Sequence, residues 1–139
     1  MHLRADGGGK PLVLVLSGGE RHESCYVDAL LAGSGVRRLR SGRPRVRPEQ
    51  IVGDRGYSYS TVRHLLARRG IRAVIPRRRD QRPSDGRHRP LNRAAYRQRN
   101  RVERLINRLK QYRRVATRYE KRAAHYLALL TIASAMLWL

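Results

Sequence analysis

The chain has 139 residues, enough for one domain with a modest core, and its 40% hydrophobic content is too high for a disordered tail. Its 32 lysine and arginine residues against 10 acidic residues give a formal net charge of +22, which favours nucleic acid as the partner through phosphate contacts. The single cysteine, Cys25, excludes an internal disulfide and a cysteine-cluster zinc site, and it fits a cytoplasmic protein.

Two short strands are predicted at the start of the chain, at 2–6 and 11–16, and the glycine-rich stretch between them suits a hairpin turn. The second strand is continuously apolar from 12 to 16, so we expect a central strand that is buried on both faces. The glycines lack the lysine and hydroxyl spacing of a phosphate-binding loop, and Asp6 is assigned to the turn.

A short helix and a basic loop follow. The helix is predicted at 24–32, with Ser24 as a possible N-cap and with Val27, Leu30 and Leu31 as its buried side. The stretch 36–50 carries six arginines and two prolines without a strong period. It is either a solvated loop or a segment that contacts the DNA backbone.

The stretch 50–54 is predicted as a brief apolar strand that ends in Asp54. Ligands in α/β folds collect beyond the carboxyl ends of strands, which would place Asp54 in a functional position. An aspartate that caps the next helix is the alternative, and it is a common use of this residue. The residues of this stretch leave both interpretations open.

One more helix, one strand and one loop are predicted before the stretch 96–110. The helix is predicted at 58–69, with Gly70 as its end, and the strand at 71–76, where a proline stops it. In the stretch 77–90 arginines alternate with turn-forming residues. We predict a basic loop near the path of DNA, and disorder is an equally good interpretation.

The stretch 96–110 has apolar residues at helical spacing, which predicts one continuous amphipathic helix. The apolar positions are Val102, Leu105, Ile106 and Leu109. At about 100° per residue, one stripe along the edge of this apolar face holds four residues, and a carboxylate there would be half sheltered. The four are Tyr96, Arg99, Glu103 and Lys110. A separate face is wholly basic and consists of Arg97, Arg101, Arg104 and Arg108.

The chain ends in a polar stretch and then in an almost wholly apolar one. Residues 112–121 are polar, and residues 126–139 supply fewer apolar positions than the about 20 that a membrane span needs. We therefore predict a buried terminal helix at 123–139 that packs on the sheet. If this helix were exposed, it would be an association surface or an aggregation hazard.

The spacing of Tyr96, Arg99, Glu103 and Lys110 resembles the YREK signature of bacterial insertion-sequence transposases of the DDE type, around the glutamate of their acidic triad. The sequence Gly-Asp-Arg-Gly-Tyr at 53–57 resembles the motif around the second triad aspartate. Both motifs occur in the order of the family. Nearly the whole chain, including 16–24, is similar to the central and C-terminal part of such a transposase.

The resemblance implies an α/β fold of the RNase H-like kind, a mixed sheet flanked by helices, here missing its first strand. It implies that residues 1–139 are the C-terminal part of a DDE catalytic domain. The first triad aspartate of the family lies on a strand upstream of these motifs. We therefore expect an N-terminally truncated or split-gene fragment that is inactive alone.

The resemblance also implies the site residues. Asp54 and Glu103 would be catalytic and would hold Mg²⁺, because hard divalent cations prefer carboxylate oxygens. Tyr96, Arg99 and Lys110 would bind DNA. The structural alternative is an Arg99–Glu103 pair at i, i+4 on an amphipathic helix, worth only a few tenths of a kcal/mol.

The function implied is DNA transposition, with cleavage and transfer of DNA strands at transposon ends and a target, in the bacterial cytoplasm near the nucleoid. Further partners would be the product of an upstream reading frame or a second copy of the chain. No association with a membrane is expected. The competing function is a non-catalytic basic nucleic-acid-binding protein. Dependence of activity on Asp54 and Glu103 separates the two functions, because charge alone explains DNA binding in either case.

Overall fold

The computed structural model describes residues 1–33, 46–81 and 90–139. Within these ranges the chain is mixed α/β, as predicted. The strands are β1 (His2–Ala5), β2 (Pro11–Val15), β3 (Gln50–Val52) and β4 (Arg72–Val74). The helices are α1 (Val27–Ala32), α2 (Ser60–Arg68), α3 (Arg93–Arg97), α4 (Asn100–Lys110), α5 (Arg113–Thr117) and α6 (Ala123–Met136). Much of the predicted basic loops at 36–50 and 77–90 lies outside the described residues.

The chain forms two compact units. The first, which we call the hairpin unit, consists of Met1–Arg21 and Asn100–Leu139. The second, which we call the crossover unit, is His22–Arg99.

The hairpin unit begins with the predicted antiparallel pair, β1 and β2. Its turn is closed by the carboxylate of Asp6, whose Oδ1 accepts hydrogen bonds from the backbone N–H groups of Gly8 at 2.9 Å and of Lys10 at 2.7 Å. Gly9 has a φ of 87°, which favours glycine at this position. The expectation of a central strand buried on both faces is wrong. Most residues of β2 are half-buried, and β1 is its sheet neighbour among the described strands.

The core of the hairpin unit is formed by the last three helices, with apolar residues of the hairpin packed against it. Its buried residues are Leu105, Leu109, Val115, Leu130, Ala133 and Leu137. The helix α5 in the polar stretch was not predicted, and it contributes Val115 as its one buried residue. Along α6 one side is buried, whereas Ile132 and Met136 on its other side are exposed. Among the described helices, none is long and apolar enough to cross a membrane.

The crossover unit is built on the parallel pair β3 and β4, which α2 connects. Its core is the apolar side of α1 and α2 packed with the strand region, and the buried members are Val27, Leu31, Val62, Leu66, Ile71 and Ile75. The predicted end of α2 at Gly70 is confirmed by a φ of 64° at that glycine. The prediction of Ser24 as an N-cap is wrong, because a 3₁₀ turn at Glu23–Tyr26 precedes α1 and no side chain caps either element.

The predicted continuous helix at 96–110 is interrupted between α3 and α4. The backbone N–H of Gln98 bonds to Ala95 O at 3.1 Å and that of Arg99 to Tyr96 O at 3.0 Å, so the chain tightens to i, i−3 bonds there. Packing of an apolar face is what chiefly stabilises helices in proteins, and the apolar period begins only at Val102. The apolar period therefore predicted α4 correctly. The helix predicted from it was extended too far toward the N-terminus.

Candidate active site

Asp54 lies just beyond the carboxyl end of β3, where it starts a 3₁₀ turn at Arg55–Tyr57. Its Oδ1 accepts a hydrogen bond from the backbone N–H of Gly56 at 2.8 Å. Asp54 therefore caps this 3₁₀ turn, whereas no side chain caps the helix α2 that follows it. The half-buried carboxylate also lies where the carboxyl ends of the parallel strands β3 and β4 meet, which we call the carboxyl edge of this strand pair. Ligands collect at this end of the strands in α/β folds.

A second carboxylate, that of Glu23, also lies close to Gly56. A Cβ atom added to Gly56 would overlap the Glu23 carboxylate and would lie 3.0 Å from Asp54 Oδ1. Only glycine fits between the two acids without a shift of one of them. Reasoning from the sequence missed this pairing, because the two acids are far apart in the chain and no spacing rule relates them. The one available signal was that the stretch 16–24 resembles the family.

The hydroxyl of Tyr57 is affected by the charges of both carboxylates, those of Glu23 and Asp54. The pKa of the Tyr57 hydroxyl is raised to about 12, chiefly by burial and also by the negative charges of Glu23 and Asp54. The phenol is therefore neutral at physiological pH. Its titration reports on the charge around Asp54.

The carboxyl end of β4 is basic. Arg63 on α2 donates a hydrogen bond to Ile75 O at 2.8 Å, and its pKa is lowered by burial and by the nearby charge of Arg77. The guanidinium of Arg78 lies over the ring of Tyr59, 5.2 Å from its centroid. The edge that carries Asp54 thus also carries fixed positive charge.

Tyr96 and Arg99 are close together in the crossover unit. The guanidinium carbon of Arg99 lies 5.8 Å from the centroid of the Tyr96 ring, and both side chains are half-buried. They lie at and just beyond the C-terminal end of α3, where Asn92 caps the first turn by accepting from Ala95 N at 3.0 Å.

Glu103 and Lys110 are in the hairpin unit, on α4. They are seven residues apart on one continuous helix, which places them on the same side. Both are exposed, so the prediction that the carboxylate is half sheltered is wrong. The continuous helix on which the single stripe of four signature residues was predicted is interrupted before Asn100, so Tyr96 and Arg99 are not part of α4.

The donor chemistry of the candidate residues suits a hard divalent cation, since Asp54 and Glu103 offer carboxylate oxygens. No group of three or more His, Cys, Asp or Glu side chains that could hold a metal ion is found in the part of the chain that the structure describes. The described residues therefore provide ligands of the right kind without forming a complete three-residue group.

Comparison with known proteins agrees with the sequence motifs. The family model described as "Transposase DDE domain" matches residues 1–138. The chain is also 32% identical over 138 residues to a protein of Burkholderia cepacia named as a candidate transposase for insertion sequence element IS402. That match covers 98% of this chain and 60% of the relative's length. No solved structure matches the chain significantly. The chain belongs to the transposase DDE domain family.

Proposed function

We propose that this chain acts in DNA transposition and that Asp54 and Glu103 are two of the carboxylates that its chemistry requires. The observation that carries the proposal is the position of Asp54. Its carboxylate stands at the carboxyl edge of a parallel strand pair, beside a basic strand end, within a chain that belongs to the transposase DDE domain family.

The reaction proposed is in-line attack of a water molecule or a DNA 3′ hydroxyl on a backbone phosphorus atom. The family implies a divalent metal, and we propose Mg²⁺, which would stabilise the attacking and leaving oxygens when bound. Asp54 and Glu103 would hold it through their carboxylate oxygens. Gly56 keeps the Asp54 carboxylate in one orientation by donating its backbone N–H at 2.8 Å.

Tyr96, Arg99 and Lys110 are proposed to position the DNA. The contact between the Arg99 guanidinium and the Tyr96 ring supports this role, because it places a guanidinium, a group that can bind phosphate, beside an aromatic ring. Lys110, exposed near the C-terminal end of α4, would add a point charge on the same side as Glu103.

We also propose that the fold is RNase H-like. Two features support this fold. The structure contains an antiparallel pair, β1–β2, and a parallel pair joined through a helix, β3–β4, and these are the two kinds of strand pairing that the mixed sheet of that fold combines.

The test is a strand-nicking and strand-transfer assay on DNA that carries the element's own ends, with Mg²⁺ and with the metal chelated. The chain is tested alone and within the longest reading frame that contains it. Products that depend on Mg²⁺ in either form support the proposal. DNA binding without any metal-dependent product in both forms would overturn it in favour of a non-catalytic nucleic-acid-binding protein.

A further inference from the structure

The carboxyl edge of the β3–β4 pair combines an acid with a group of arginines. Asp54 follows β3, and Arg77 and Arg78 follow β4 within four residues. Since the strands are parallel, these segments leave the sheet at the same edge. The backbone N–H of Gly53 bonds to Val74 O at 3.3 Å, so the pairing continues to the residue before Asp54.

Arg78 is held in place by an aromatic ring. Its guanidinium lies 5.2 Å from the centroid of Tyr59, which packs against the core of the crossover unit. The Tyr59 hydroxyl lies 3.3 Å from the ring nitrogens of His22, and the two rings meet edge to face at 5.2 Å. Within the described residues no carboxylate pairs with Arg78. Its backbone N–H donates a hydrogen bond to Gln81 Oε1 at 3.5 Å.

Two further arginines lie at the same strand end. Arg63 is fixed by donating to Ile75 O at 2.8 Å and to Ser58 O at 3.4 Å, both backbone carbonyls. Burial lowers the pKa of Arg63, and the nearby charge of Arg77 lowers it further. Neighbouring cations repel one another, and an anion between them relieves this repulsion.

We propose that Arg77 and Arg78, with Arg78 held on Tyr59 and with Arg63 at the same strand end, bind a backbone phosphate of DNA at the edge that carries Asp54. Guanidinium groups suit this ligand because they donate two parallel hydrogen bonds to phosphate oxygens. The proposal rests on the proposed function, since it takes DNA as the substrate. It adds a phosphate-binding group that lies outside the signature residues Tyr96, Arg99 and Lys110.

Arg72 provides a matched control. It is an exposed arginine at the first position of β4, so it lies at the opposite end of the same strand. Replacing Arg72 or Arg78 with glutamine removes the same charge from the same unit. Only Arg78→Gln removes a positive charge from the proposed phosphate site.

The experiment measures binding of the 139-residue chain to a fluorescently labelled DNA duplex by anisotropy, over a series of salt concentrations. Arg78→Gln is expected to weaken binding about tenfold and to reduce the slope of log K against log salt by about 0.9, the value for one lost phosphate contact. Arg78→Lys should keep most of the slope because it keeps the charge, and Arg72→Gln should leave the slope unchanged. Circular dichroism checks that each variant is folded.

Equal slopes for Arg78→Gln and Arg72→Gln, with a wild-type chain that binds DNA, would overturn the phosphate site and leave the proposed function standing. A wild-type chain that binds no DNA would overturn both. A second variant, Tyr59→Leu, removes the ring beneath Arg78 and should reduce the slope in the same direction, whereas Tyr59→Phe keeps the ring and should not.

Discussion

The carboxylate of Asp54 accepts a hydrogen bond from the backbone N–H of Gly56 at 2.8 Å, two residues further along the chain. This bond occupies Oδ1 and fixes the plane of the carboxylate at the end of β3. A capping role and a catalytic role are therefore compatible in one residue, because capping requires only an acceptor atom whereas metal binding requires the charge.

This difference gives a prediction for two substitutions at Asp54. Asp54→Ala removes the acceptor and should lower the free energy of unfolding by about 1 kcal/mol. Asp54→Asn keeps an acceptor oxygen and should stay close to the wild type in stability. Urea denaturation followed by circular dichroism measures both values. An asparagine variant as unstable as the alanine variant would show that the charge, and not the hydrogen bond, stabilises the turn.

The high pKa of Tyr57 predicts a pH dependence of stability. The pKa in the folded state, about 12, lies above the value of about 10 expected in the unfolded chain. The contribution of the neutral phenol to stability is therefore fully present below about pH 10 and is lost as the pH rises through about 12. Subtracting the tyrosinate absorbance of Tyr57→Phe from that of the wild type, pH by pH, isolates this titration.

Glu23 should contribute to that pKa through its charge. Glu23→Gln removes one of the two carboxylates and is expected to lower the pKa of Tyr57, which stays above its ordinary value because burial is the largest cause. Glu20→Gln, an exposed acid in the same stretch of sequence, is the matched control and should not change it. Identical titration curves for the wild type and Glu23→Gln would show that Glu23 does not lie beside this turn in solution.

The two sides of α4 should respond differently to substitution. Leu105 is 1% exposed, so Leu105→Ala should lower the free energy of unfolding by about 2–5 kcal/mol through loss of burial and creation of a cavity. Glu103→Gln changes an exposed side chain and should cost less than about 0.5 kcal/mol. Chemical denaturation measures both. A comparable loss for Glu103→Gln would mean that this acid is structural.

Trp138 connects the end of the chain to the hairpin turn. Its Nε1 donates to Pro11 O at 2.9 Å, and Lys10 Nζ donates to Trp138 O at 2.9 Å while lying 5.1 Å from the centroid of the ring. Trp138→Phe keeps an aromatic ring without the donor and should lower the free energy of unfolding by about 1 kcal/mol. Unchanged stability in this variant would contradict a contribution from the hydrogen bond.

Elements with a clear apolar period were predictable from the sequence. Leu31 on α1, and Leu105 and Leu109 on α4, are buried as their spacing indicated. The glycine-rich hairpin turn and the glycine end of α2 were predictable for a different reason, because those backbone conformations favour glycine.

What could not be predicted depends on contacts between distant residues or on weak local signals. The position of Glu23 against Gly56 requires two turns far apart in the chain to meet. The interruption before Asn100 and the short helix α5 lie in polar sequence, where a single buried residue such as Val115 gives no period to detect. The half-buried state of β2 is set by its pairing, which an apolar run alone does not reveal.

The most direct test of the central claim compares Mg²⁺-dependent DNA strand cleavage by Asp54→Asn and Glu103→Gln with that of Asp28→Asn and Glu20→Gln, all within the longest reading frame that contains the chain. Asp28 forms an exposed pair with Arg69, worth little to stability, and Glu20 is exposed. We expect cleavage to be lost in the first two variants and kept in the two controls, with DNA binding retained in all four. Cleavage by either Asp54→Asn or Glu103→Gln at the wild-type rate would contradict the assignment of that residue.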